Sequence, residues 1–277
     1  MPSVRRRIYQ TLNRPGLRPL LGVGRSAEIL LRERELCTVL PDELGWTLRS
    51  HDAVLVAPEP TMSPPARLHQ EITDAFCFGY LPTPGDVVVD IGAGVGREAF
   101  VFARLVAPTG AVHCIEAHPA TFSFLVRMVA LNHLDRVRCH NLAISDSSGF
   151  VGITTEEDAG RYYQNRIVTS GDAMRIPAVT LEQFFDSESL DRVELLAMNI
   201  EGAERLAIEG MSAVTDRIQN VAIACHDFLA DQGGDERLRT KALVRDFLVR
   251  HGFEIEERPN DSRAWLRGFL YGSRALA

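Results

Sequence analysis

Three groups of residues between positions 87 and 116 suit the binding of one kind of ligand. Asp90 closes the apolar run Val87-Val88-Val89, and Gly92, Gly94 and Gly96 follow it at G-x-G-x-G spacing. Glycines so placed let the backbone turn tightly and let a ligand approach closely. Glu116 closes a second apolar run, Ala111 to Ile115. A dinucleotide-binding turn reads G-x-G-x-x-G and aims a helix N-terminus at a pyrophosphate. Here Arg97 stands where that third glycine belongs, and Asp90 would repel a diphosphate but attract an ammonium group. Glu116 can accept both hydroxyls of a ribose. An acid for an amine, glycines for close approach and an acid for a ribose describe S-adenosylmethionine. The expected cofactor contacts are Asp90, Gly92, Ala93, Gly94, Gly96, Glu116 and Ala117, with Ala143 beside the adenine and Asn199 across the crevice.

A second polar group gathers at Asn199, Glu201, His226 and Asp227. Methyl transfer from a sulfonium needs mainly alignment of the nucleophile. An alcohol acceptor also needs a general base or a metal that lowers its pKa. His226 is the preferred base, since neutral imidazole titrates near working pH. Asp227, Glu201 or Glu204 would orient it. The same set could hold Mg²⁺ or Mn²⁺ through Glu201, Asp227 and His226, because oxygen-rich ligands suit those ions. His118 and His140 fall near the cofactor edge as packing residues, and His113 and His133 read as structural or solvated.

The elements that must position these residues alternate strand and helix. Helical spacing of Ala99, Phe102, Ala103 and Val106 makes residues 87–116 one βαβ unit, stopped by Pro108 and Gly110. In an open α/β sheet a ligand sits beyond the carboxyl ends of the strands, where all the polar candidates fall. A helix from Arg67 should pack across the glycine turn, with Glu71 and His69 on it; Pro119 opens another; Val137 to Ile144 reads as the third strand. Residues 145–178 break the alternation and read as an acceptor-binding flap around Tyr162-Tyr163-Gln164-Asn165. Thr180 caps the helix LEQFF. Strands at 193–200 and 221–225, a helix at 238–251 and a hairpin of 253–257 with 265–271 complete a doubly wound α/β sheet with an antiparallel end.

Residues 1–65 read as an appendage to a domain spanning 66–277. A helix is expected over Ser26 to Leu40 and a hairpin over Trp46 to Val56, turning at His51-Asp52. Such an appendage can cap the cofactor, contact acceptor or make a homodimer surface. A chain of 277 residues with 45% hydrophobic and 24% charged residues can bury a sizeable core and is ordinary for a soluble protein. The net charge of −7 argues against a nucleic-acid groove. Arg5-Arg6-Arg7 is a basic cluster without a signal-peptide core behind it, and no apolar run reaches membrane-spanning length. Five cysteines without C-x-x-C spacing read as buried thiols, so a cytoplasmic protein is expected.

The chain resembles the FkbM family of S-adenosylmethionine-dependent methyltransferases. The matching stretches are GDVVVDIGAGVG (85–96), IEAHP (115–119), NLAISD (141–146), VTLEQFF (179–185) and MNIEGAERLAIEGM (198–211). The resemblance covers residues 67–271 and implies a seven-stranded Rossmann-like class I sheet. It also implies O-methylation of a small-molecule hydroxyl on a sugar, glycoside or polyketide. The family's cofactor role carries onto Asp90, Gly92, Gly94 and Glu116. The family usually has aspartate two residues before the glutamate of its EGAE motif; this chain has Asn199 there, which weakens a metal-assisted route and shifts weight to His226. The rival readings are a dinucleotide dehydrogenase, opposed by Arg97 and Asp90, and a non-catalytic module that binds S-adenosylmethionine.

Overall fold

A computed structural model describes residues 13–14, 16–153, 167–168, 174–231, 233–234 and 236–274. Helix α1 (Arg18–Glu33) is followed by strands β1 (Thr38–Pro41), β2 (Trp46–Arg49) and β3 (Val54–Ala57), an antiparallel three-stranded sheet. The hairpin turns at residues 50–53 as expected, pairing Arg49 with Val54. The helix expected over Ser26 to Leu40 ends at Glu33, and its last residues, from Thr38, are strand. Arg34 takes a left-handed conformation (φ 56°) and ends α1. Ser26 Oγ then accepts the Val39 N–H at 2.8 Å and donates to Gly22, so β1 lies against the helix it was expected to extend. Trp46, Leu48 and Leu55 are buried, and the Asn132 side chain exchanges two hydrogen bonds with the Val54 backbone. From Leu21 on, the described part of the 1–65 segment thus shares one continuous core with the domain behind it.

Helix α2 (Pro65–Phe76) leads into β4 (Val87–Ile91), α3 (Arg97–Val106), β5 (Ala111–Ile115), α4 (Pro119–Leu131) and β6 (Val137–His140). The expected third strand stops at His140 and does not run on to Ile144. Asn141 donates its side-chain amide to the carbonyls of Glu116 and Ala117 and bends the chain there. Strand β7 (Ala143–Ile144) then joins β8 (Gly149–Ile153), β9 (Ile167–Val168) and β10 (Met174–Val179) in a four-stranded sheet, order β7-β10-β8-β9. The stretch read as an irregular flap is therefore largely strand where it is described. Its aromatic-amide cluster at 162–165, with Gly160 and Gly171, lies outside the described residues, as does Arg5-Arg6-Arg7.

Helix α5 (Leu181–Glu188) carries a full capping box between Thr180 and Gln183. After it come β11 (Val193–Met198), α6 (Glu204–Glu209), β12 (Ile218–Ala224), α7 (Asp227–Asp231), α8 (Lys241–Arg250), β13 (Glu254–Glu257) and β14 (Phe269–Ser273). The large sheet has seven strands in the order β6-β5-β4-β11-β12-β14-β13, with β14 antiparallel to both neighbours. Strand alternation sends Val88 to one face, under α2, α3 and α4, and Val89 and Ile91 to the other, under α5, α6 and α8. Both faces are covered, which explains the unbroken apolar runs of the parallel strands. The chain reverses its direction across the sheet between β4 and β11, and that gap is the expected ligand crevice. Among the described residues, no helix is long and apolar enough to cross a membrane.

Candidate active site

The glycine turn is held from below by two hydrogen bonds. The amides of Gly92 and Ala93 both donate to the Ile115 carbonyl, at 2.8 and 3.0 Å. Gly92 has φ 85°, and a Cβ on it would stand 2.1 Å from the Asn199 carbonyl oxygen, so no side chain fits where β4 and β11 part. A cavity of about 320 Å³ opens above the turn. Gly92, Gly94, Glu116, Ala117, Ala143 and Asn199 all line it, as expected. Leu142, Ile144 and Ile153 add an apolar wall. Ala93 and Gly96 do not line it. Ala93 is wholly buried, and Gly96 is crowded by Leu125 and Met128 of α4, so these two serve packing.

Glu116 accepts hydrogen bonds from the amides of Gly94 (2.9 Å) and His118 (2.7 Å). Burial nonetheless lifts its pKa to about 7, against the pull of those amides. Asp90 lies beneath the turn, 1% exposed, and does not reach the cavity wall. One of its oxygens has no partner, and burial, then Glu98 and Glu116, push its pKa well above the carboxylate range. The acid that reaches the cavity from this side is Glu98, in the first turn of α3. Three carboxyls thus surround one turn with an orphaned oxygen among them. Carboxyls so grouped favour the approach of a cationic group such as an ammonium or sulfonium.

A larger cleft of about 1160 Å³ adjoins the cavity. The two share Arg97, Glu98, Asn199 and Glu201 as a common wall. Helix α2 roofs the cleft, and its Glu71 pairs with Arg97 at 2.9 Å; His69 is exposed and away from both spaces. His226, Phe228 and Trp265 line the opposite side. Glu201 projects from a left-handed residue (φ 51°), an unusual conformation for a side chain with a Cβ, and Gly202 follows at φ 98°.

His226 is buried between two carboxylates. Its Nδ1 lies 2.7 Å from Glu204, which is fully buried, and its Nε2 lies 3.5 Å from Glu201. Glu204 is itself held by the Thr240 hydroxyl and the Gly202 amide, each at 3.0 Å. Burial alone would lower the imidazole pKa, but hydrogen bonds and charge from Glu201 and Glu204 override it and lift the value to about 10. The two acids thus favour the protonated form of His226. Both of its ring nitrogens face carboxylates, an arrangement that opposes the role of proton acceptor expected from the sequence. Glu204, weighed only as one of three orienting acids, is the one that binds Nδ1.

Asp227 corrects another expectation. Its Oδ1 accepts the amides of Thr240 (2.9 Å) and Lys241 (3.0 Å), so it caps the start of α8. It lines neither cavity nor cleft. Glu201, His226 and Asp227 therefore do not converge as a ligand set for Mg²⁺ or Mn²⁺, since the imidazolium and the capping carboxylate are already engaged. Glu98 went unnoticed at the sequence level, although an acid in the first turn after a glycine turn is a visible signal. His118 lines the cavity and accepts the Thr121 amide at the start of α4, whereas His140 turns to the other side of its strand's end.

Residues 90–255 match the family model of the methyltransferase FkbM domain. The chain belongs to the FkbM methyltransferase family. The 31-O-demethyl-FK506 methyltransferase FkbM of Streptomyces tacrolimicus is 27% identical over 222 residues, covering 68% of this chain and 81% of the relative. A crystal structure of methyltransferase FkbM from Methylobacillus flagellatus superposes with a TM-score of 0.50 at 19% identity. That match covers 76% of this chain and 50% of the other, so this chain spans about half the length of the Methylobacillus protein. The doubly wound sheet of this FkbM protein is that of the class I methyltransferases.

Proposed function

We propose that this FkbM-family chain transfers a methyl group from S-adenosylmethionine to a hydroxyl of a small molecule, with a sugar or glycoside as acceptor. The observation that carries the reading is the wall common to the two spaces, where Glu201 and Asn199 border both the adenosyl-sized cavity and the cleft. S-adenosylmethionine, when bound, supplies an electrophilic methyl on a sulfonium. Glu116 would hold the ribose hydroxyls, and Glu98 on the cavity wall would answer the cationic end, with Asp90 behind it beneath the turn. Glu201 accepts the acceptor's proton as its oxygen gains the methyl, so the charge lost at sulfur is matched by the proton taken up. His226, kept protonated by Glu204, orients that carboxylate from behind. Phe228 and Trp265 offer flat apolar faces on which the C–H side of a sugar ring can rest.

A polyketide hydroxyl is the second acceptor reading, supported by the name of the Streptomyces relative. A divalent cation is the rival means of acidifying the hydroxyl; full activity in EDTA rules it out, and a loss restored by Mg²⁺ or Mn²⁺ would reverse the preference. We further propose that the 1–65 segment shapes the acceptor cleft of a cytoplasmic, small-molecule enzyme, since Glu33 and Glu35 lie on its rim. Its exposed Leu20, Val23 and Leu31 suit a homodimer, which sedimentation would reveal. The test of the whole reading is transfer of radiolabelled methyl into a panel of glycosides and macrolide alcohols. Stabilisation by S-adenosylhomocysteine without transfer to any acceptor would leave the non-catalytic module as the answer.

A further inference from the structure

Outside the lining of the cavity and the cleft, two histidines and an acid meet on the α5 side of the sheet edge. His113 comes from β5, His140 from the end of β6, and Glu188 from the last turn of α5. The parallel register sets His113 opposite Arg138 and His140 opposite Ile115, so the two histidines are diagonal neighbours on one face of the sheet; their imidazoles lie 5.6 Å apart and within 6° of parallel. Phe184 meets both rings edge-on, and Glu188 follows it by four residues, which puts the acid on the same helix face. His113 Nδ1 stands 3.6 Å from one oxygen of Glu188, and His140 Nδ1 3.8 Å from the other.

These distances are too long for hydrogen bonds. His113 is 2% exposed, yet its Nδ1 has no hydrogen-bond partner, and neither has Nε2 of the partly buried His140. A buried nitrogen without a partner costs about 1–3 kcal/mol unless something else occupies the gap. One donor atom from each of the three residues lies within 4.8 Å of the others. A tetrahedral ion at about 2.0–2.1 Å from each donor would bring them to about 3.4 Å apart, a small closure from the observed positions.

We propose that His113, His140 and Glu188 form a binding site for a divalent transition-metal ion of the zinc type, separate from the methyl-transfer site. Two nitrogens, one carboxylate and an open fourth position match zinc, not Mg²⁺. Arg138 now pairs with Glu188 at 3.2 Å, but its side chain is 64% exposed and can swing to solvent when an ion enters. The ion would tie β6 to α5. The His140 carbonyl accepts the Glu116 amide at 3.0 Å, so the tie would stiffen the wall of the nucleoside cavity.

The test is calorimetric titration of tag-free, chelator-stripped protein with Zn²⁺, with Co²⁺ absorption as a probe of coordination. One ion per chain and a raised Tm are expected. Glu188→Gln and His140→Ala should each weaken binding at least roughly tenfold while circular dichroism stays native, and His226→Gln should leave it intact. Absence of saturable binding overturns the proposal. So does binding that survives Glu188→Gln and His140→Ala, or that disappears with His226→Gln. Should His140→Ala fail to fold, Glu188→Gln at the half-buried helix end carries the test alone.

Discussion

Two histidines of comparable burial in this FkbM methyltransferase are pushed in opposite directions by their surroundings. His226 and His113 are 5% and 2% exposed, yet one is lifted to about 10 and the other held at about 4. Burial sets the cost of charging an imidazole; the distance and number of carboxylates decide whether that cost is met. His226 has a wholly buried acid at 2.7 Å and a second acid on its other nitrogen. His113 faces one acid at 3.6 Å, shared with Arg138 and with a second histidine. The first arrangement stores a proton beside a cleft. The second leaves lone pairs exposed to whatever fills the gap.

The sharpest way to break this contrast is to neutralise one acid in each group. Glu201→Gln should lower turnover roughly 10²–10⁴-fold with S-adenosylhomocysteine affinity retained, whereas Glu188→Gln should leave turnover within about twofold of wild type. Equal rates in both variants would remove Glu201 from the chemistry. Glu204→Gln strands the buried imidazolium and should cost about 3–5 kcal/mol of unfolding free energy. The NMR titration of His226 should then move down from about 10 towards its ordinary 6.5.

The two groups also predict opposite legs of the pH–stability curve. His226 is raised in the fold, so its contribution is complete below pH 6.5 and fades as pH climbs towards 10. His113 is depressed, so its contribution is present above pH 6.5 and lost as pH falls towards 4. Thermal midpoints of His226→Gln and His113→Gln across that range should each flatten one leg only. Asp90→Asn supplies a third case, a buried acid without a partner. It should leave the free protein's Tm unchanged or raised, while weakening S-adenosylmethionine by about 1–3 kcal/mol. The smallest effect belongs to Asp227→Ala, which removes a helix cap for about 1 kcal/mol and should not touch turnover.

Much of the fold was legible because its signals are local. Continuous apolar runs at Val87 and Val193, the helical spacing after Gly96 and the capping box at Thr180 each state their element within a few residues. The failures came where a distant contact decided. Thr38–Pro41 became a strand by packing on Gly22 and Ser26, and Ala143–Ile144 left the large sheet because Asn141 is tied to Glu116. At the site, Gly92, Glu116 and Ala143 could be placed on the cavity wall because they follow strand ends, which the chain order reveals. The role of Asp227 was not, because Asp-next-to-His reads alike whether the carboxylate meets the imidazole or a helix end.

From the amino-acid order alone come the βαβ alternation, the glycine turn with its flanking acids, and the FkbM kinship, all carried by neighbours in sequence or by fixed spacing. Charge state was decided only by the tertiary structure. A pKa depends on which groups come within a few ångströms in a dry interior, and Glu204, Thr240 and His226 are brought together from three separate elements. The same holds for His113, His140 and Glu188, whose meeting depends on strand register and on the docking of one helix.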